Sequence, residues 1–149
     1  MRRVTATAIV PAPPDRVFAF LSDLEQLPRW QSGIVSAEVT TPGPLGAGSQ
    51  AHVVRELMGQ RIEVDVTATG YEPHRWLALE SEASGIGVRA SLELEPAGAG
   101  TQLGFSMEIR AKSLFMAPLE GIVAGAAQQD VADSLERVRA HFEAERLVP

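Results

Sequence analysis

Arg55 is the residue whose type and spacing point most directly to chemistry. It lies in a run of alternating residues, Gln50 to Met58, followed by Gly59-Gln60 and a second run, Arg61 to Gly70. A glycine-containing pair between two such runs marks a β-hairpin. In the second run Ile62, Val64, Val66 and Ala68 share one face, the covered one. A two-residue turn gives that same face Ala51, Val53, Arg55 and Leu57. It also sets Glu56 opposite Arg61 and His52 opposite Asp65, favourable charge pairs on the wet face. A turn one residue longer buries His52 and Glu56 instead. A guanidinium on the covered face needs an acceptor, because an unpaired buried charge costs several kcal/mol. Glu63, Asp65, Glu93 and Glu95 project the other way. The acceptor is then a ligand carboxylate, phenolate or enolate, a water, backbone carbonyls, or a carboxylate from a helix.

Other chemistry finds little support. The three histidines, His52, His74 and His141, are isolated, and no His-x-x-x-His or Glu-x-x-His pair offers a metal site. His141 reads as solvated, among charges near the C-terminus. The chain has no cysteine, hence no thiolate nucleophile and no disulfide. There is no Gly-x-Ser-x-Gly elbow. The glycines of Gly43 to Gly48 do not lie between a strand and a helix, as a dinucleotide loop requires. Tyr71, the single tyrosine, falls at a strand end. No metal or cofactor is expected, and the catalytic residues, if there are any, stay unknown.

Composition bounds the partners. The chain has 149 residues, enough for one domain that buries roughly 70% of its unfolded surface. Apolar residues make up 45% and charged residues 21%, which excludes a disordered or fibrous class. A net charge of −6 argues against a phosphate backbone as partner. Lys112 is the only lysine and asparagine is absent, a bias that reads as a GC-rich bacterial genome. No apolar run reaches the length of a membrane span. Prolines at 11, 13 and 14 cut short the weak leader-like start, so a cytoplasmic location is expected.

The elements that must position Arg55 follow from periodicity. Val4 to Val10 reads as a strand, and Pro13-Pro14-Asp15 opens a helix carrying Val17, Phe18 and Leu21. Asp23 to Leu27 is a second short helix, expected to stop near Pro28. Ile34 to Thr40, Gln50 to Met58, Arg61 to Gly70, Arg75 to Glu82, Gly87 to Glu95 and Thr101 to Arg110 read as strands. Val88, Ala90, Leu92 and Leu94 alternate with polar residues, as do Leu103, Phe105, Met107 and Ile109. Such alternation marks antiparallel strands with one covered face. From Leu114 to Arg146 no breaker follows Pro118, which predicts a closing helix of roughly 45 Å. One long helix then covers a curved sheet.

That helix carries a stripe of Val131, Leu135, Val138 and Phe142. Extended backward it meets Ala117, Gly121, Ala124 and Ala127, side chains too small to fill space. A cavity is expected beneath them, with close packing of the helix against Trp30 or Trp76 as the alternative. Leu119, Ile122 and Val123 fall on another face and suggest a partner surface, such as a homodimer contact, or a covering loop. Trp30, Leu27 and Phe115 are expected around the mouth. Asp130 is read as solvated, with ligand contact as the alternative.

Several segments resemble one family. They are Ala12-Pro13-Pro14-Asp15-Arg16-Val17-Phe18-Ala19-Phe20-Leu21-Ser22-Asp23, Leu27-Pro28-Arg29-Trp30, Gly46-Ala47-Gly48-Ser49, Tyr71-Glu72-Pro73 and Gly98-Ala99-Gly100-Thr101. With the element order, they resemble the START-like superfamily, also called helix-grip or birch-pollen-allergen-like. Within it, the chain is similar to the bacterial polyketide cyclase/dehydrase and lipid-transport group. The resemblance implies an α+β fold over residues 1–149, with a seven-stranded antiparallel sheet wrapped around the C-terminal helix. It also implies two short helices after the first strand. It further implies a small hydrophobic ligand, lipid-, polyketide- or acyl-like, between sheet and helix. Candidate contacts are Arg55, Trp30, Leu27, Val64, Phe105, Met107, Phe115, Gly121 and Ala124. Binding or transport is favoured over a cyclase or dehydratase activity, because no inward acid–base pair is legible; a protein-partner module is a third reading.

Overall fold

The structure is a computed structural model and describes residues 1–57 and 59–146. Strand β1 (Arg2–Val10) leads into helix α1 (Pro14–Ser22), a 3-10 turn (Leu24–Gln26) and the short helix α2 (Leu27–Trp30). Six strands follow: β2 (Ile34–Val39), β3 (Gln50–Leu57), β4 (Gln60–Glu72), β5 (Trp76–Ala83), β6 (Ile86–Ala97) and β7 (Gly100–Ala111). A second 3-10 turn (Leu114–Met116) opens helix α3 (Ala117–Arg146).

The seven strands form one antiparallel sheet in the order β1-β7-β6-β5-β4-β3-β2, and α3 lies against its inner face. This is the helix-grip arrangement. Alternation explains the layers: Leu103, Phe105, Met107 and Ile109 of β7 all point inward and are buried. Their neighbours Gln102, Glu108 and Arg110 face out.

One boundary differs from expectation. Pro28 does not stop the second helix. It sits in the first turn of α2, where its missing N–H costs nothing, and Trp30 is carried inside the helix. The β3–β4 pairing has Glu56 opposite Arg61 and His52 opposite Asp65. Strand β3 ends at Leu57, paired with Gln60; Met58, expected at that strand's end, lies outside the described residues.

Two turn motifs act at the start of α1. Thr101, fully buried, donates its Oγ1–H to the Ala12 carbonyl at 2.7 Å and so ties β7 to the chain entering the helix. A Cβ at Gly100 would stand 2.5 Å from the Val10 carbonyl oxygen, so only glycine lets β1 approach β7 there. His141 is not solvated as expected. It stacks on Phe20 at 4.1 Å, so α1 and the end of α3 close that side of the core.

Candidate functional site

A cavity of about 210 Å3 lies between α3 and the inner face of β3 to β7. Its walls are Leu57, Ile62, Val64, Val88, Met107 and Ile109 from the sheet, with Leu119, Val123 and Ala127 from the helix. Small side chains leave room there: Ala127 on α3 and Ser81 and Ala83 on β5 are among its lining residues. An inner extension of about 30 Å3 runs toward α2 and is lined by Leu27, Gln31 and Ile34. Arg55, Val64, Ser81, Val88 and Met107 border both spaces.

Arg55 and Asp130 are the charged residues among the described residues of the main cavity wall. Alternation on β3 turns Arg55 inward, where its side chain keeps 16% of its exposure. Its Nε is buried with no hydrogen-bond partner among the described residues. The nearest counter-charge is Asp130 on α3, with Oδ2 3.9 Å from Nη2, beyond hydrogen-bonding reach. Burial pushes the Arg55 guanidinium down from its ordinary pKa, and Asp130 partly offsets this. Burial also raises the Asp130 carboxyl above its usual value, with Arg55 opposing the shift.

The connection between α2 and β2 holds this pair in place. The Ser32 N–H donates to Ser134 Oγ at 2.8 Å, and Ser134 Oγ–H donates to the Asp130 carbonyl at 2.6 Å. The Glu56 N–H donates to the Gly33 carbonyl at 2.7 Å. Gly33 has φ +91°, and a Cβ there would meet Asp130 Oδ2 at 3.5 Å and Arg55 Nη2 at 3.8 Å. Gly33 therefore covers the pair with bare backbone.

The sequence-selected residues divide. Arg55, Val64 and Met107 line the cavity, and Leu27 lines its inner extension. Trp30 and Phe105 pack edge-to-face, 5.9 Å between ring centres, inside the core. The mouth expectation is corrected for Leu27 and Trp30, which are both buried. The helices after β1 pack into the core at their end of the sheet. Far from them, Leu57 and Gln60 of β3 and β4, Ser84 and Ile86 around the β5–β6 turn, and Leu119 of α3 line the main cavity together. Phe115 is 89% exposed and turned outward. His52 faces out, its ring nitrogens 3.0 Å from Asp65 and 3.2 Å from Glu63.

The face of α3 is also corrected. Gly121 is exposed beside the Arg2 guanidinium, and Ala124 packs half-buried against the core; neither lines the cavity. Leu119, Val123, Ala127 and Asp130, spaced four, four and three, do. Of the trio expected at a partner surface, Val123 is buried, while Leu119, 36% exposed, borders the cavity at the surface and Ile122 is 55% exposed. Asp130, read as solvated, is a wall residue. Gly33, Ser81 and Ser84 were missed: no local pattern brings their three loops and strands together.

The first 143 residues match the family model described as polyketide cyclase / dehydrase and lipid transport. An uncharacterized protein of Mycobacterium tuberculosis is 30% identical over 138 residues, covering 92% of this chain and 96% of the relative. Among solved structures, a Thermus thermophilus protein superposes with a TM-score of 0.79 at 22% identity, covering 97% of this chain and 99% of its own. The Zhui aromatase/cyclase of Streptomyces sp. R1128 gives a TM-score of 0.81 at 16% identity, with 99% and 96% covered. A START superfamily protein of Mycobacterium smegmatis gives 0.77 at 18% identity, with 96% and 98% covered. At these identities the structures share the fold. By the match along residues 1–143, the chain belongs to the polyketide cyclase / dehydrase and lipid transport family.

Proposed function

We propose that this protein binds or carries one small apolar molecule, of lipid, polyketide or acyl type, in the cavity under α3. The observation that carries the reading is the cavity of about 210 Å3, walled mainly by aliphatic side chains and holding one charged pair. An apolar molecule placed there leaves water at ~25 cal/mol per Å2 of buried surface. The pair at the inner wall supplies orientation, as a few polar groups do in most small-molecule sites. Native mass spectrometry of freshly purified protein, with titration by the neutral dye N-phenyl-1-naphthylamine, tests this. A co-purified mass or saturable one-to-one dye binding is expected. A bare chain mass together with no saturable binding of the dye overturns the reading.

A second reading, proton transfer in a cyclisation or dehydration, is favoured by Asp130. Burial raises its carboxyl pKa against the opposing pull of Arg55, which suits a general acid or base. Arg55 would stabilise the enolate. Deuterium uptake at the α-carbon of a β-keto thioester, lost in Asp130→Asn, is the expected sign. Uptake no faster than in buffer rejects it.

A further inference from the structure

We infer that the Arg55–Asp130 pair selects a neutral head group carrying both a hydrogen-bond acceptor and a donor, such as a primary amide, over a carboxylate. This rests on the cavity being the ligand site, and it names the ligand's polar end. The first ground is charge balance. Among the described residues of the cavity wall one cation faces one anion, so the site is formally neutral before any ligand enters. A carboxylate drawn to Arg55 would come to rest beside the carboxylate of Asp130, and like charges in a weakly polar space repel strongly. A neutral head meets no such opposition.

The second ground is valence. The 3.9 Å separation leaves the pair without a hydrogen bond between its members. Arg55 therefore has N–H groups to give, with Nε lacking any partner among the described residues. Asp130, as a carboxylate beside the Ser32 hydroxyl, keeps further oxygen lone pairs to offer. A group that accepts from Arg55 and donates to Asp130 satisfies both at once. An ester or ketone serves only Arg55, and a carboxylate serves Arg55 while facing Asp130 lone pair to lone pair. A buried group left unserved is the usual source of strong discrimination between ligands.

The third ground is position. Arg55 stands where the main cavity narrows to the inner extension, and Gly33 covers the pair from the α2–β2 connection. The head group is thereby placed at the inner end. The tail lies along Val88, Ile109 and Val123, which line the main cavity.

The test is displacement of N-phenyl-1-naphthylamine at pH 8 by octanamide, octanoate and methyl octanoate, three probes with one tail length. Octanamide is expected to bind at least tenfold more tightly than either of the others. Asp130→Asn should remove the repulsion and raise octanoate affinity at least tenfold, bringing octanoate to or above octanamide. Arg55→Leu should weaken octanamide and methyl octanoate alike, since both accept from Arg55, whereas Asp130→Leu should erase the preference between them. Octanoate binding more tightly than octanamide to the native protein overturns the inference, and so does an unchanged octanoate-to-octanamide ratio in a folded Asp130→Asn. The native series decides by itself if a variant fails to fold. Failure of the dye to bind, together with a bare chain mass, removes the cavity reading and this inference with it. Dye binding with the reverse head-group order removes the inference alone.

Discussion

Oδ2 of Asp130 on α3 stands 3.9 Å from Nη2 of Arg55 on β3, so the helix supplies the counter-charge that no neighbouring strand can. The two side chains keep 16% and 23% of their exposure, enough to screen the pair in part. Removing one partner should still leave the other uncompensated. Arg55→Leu is expected to cost about 1–3 kcal/mol in urea unfolding at pH 7, below the ~3–5 kcal/mol of a fully buried pair. The double variant Arg55→Leu with Asp130→Leu should recover most of that loss. Additive losses in the double variant would show the pair to be uncoupled.

The rotation of α3 makes a sharp comparison between two alanines three residues apart. Ala127 lines the cavity and Ala124 does not. Ala127→Leu should fill part of the space and weaken N-phenyl-1-naphthylamine binding tenfold or more, with little loss of stability. Ala124→Leu packs into an occupied contact and should instead cost ~1–3 kcal/mol while leaving dye affinity within about twofold. Fluorescence titration and thermal melts of the two variants check this, and equal dye affinities would contradict it.

Gly33 is expected to be intolerant of any side chain. Its φ of +91° disfavours other residues, and an added Cβ would meet the Glu56 carbonyl oxygen at 3.3 Å. Gly33→Ala should destabilise the fold by about 1–2 kcal/mol from the backbone alone. Because the same Cβ points toward Asp130 and Arg55, head-group selectivity should shift along with stability. A melt indistinguishable from that of the native protein would contradict this.

The Asp130 carboxyl gives the site a pH dependence of definite sign. Burial raises its pKa above the ordinary ~3.9, so the folded protein keeps that proton at higher pH than the unfolded chain does. Stability from this group is thus largest below that ordinary value and declines as pH rises through the folded pKa. The charged groups acting on it are Arg55 from β3, with Asp133 and Arg137 from its own helix. Protonation leaves Arg55 as an unopposed cation. Affinity for octanesulfonate, an anion at every pH used, should therefore rise as pH falls through the folded Asp130 pKa. Asp130→Asn should flatten that slope, while His52, whose pKa is raised by Asp65 and Glu63 on the outer face, remains in both proteins. A slope unchanged in Asp130→Asn would assign it elsewhere.

Strand faces and helix faces were not equally legible. A strand has two faces, and a hairpin turn of known length fixes which residues share each. The alternation of β3 and β4 therefore left Arg55 two orientations, the charge pairs His52–Asp65 and Glu56–Arg61 favoured the inward one, and the strand register decided it. The turn motifs were legible for a similar reason: Gly100 and Thr101 act within a few residues of a strand end. The rotation of α3 about its axis was not legible. Between Ala117 and Ala127 that helix is apolar or small on nearly every side, so no stripe there outweighs the others. Tertiary packing settled it: β1 and Arg2 lie along Gly121, which turns Leu119, Val123 and Asp130 toward the sheet. The same packing brought Gly33, Arg55 and Asp130 together from a loop, a strand and a helix far apart in sequence. Local periodicity specifies a face only when one face is clearly more apolar than the rest. Where it is not, only the closure of sheet against helix determines which residues enclose the site.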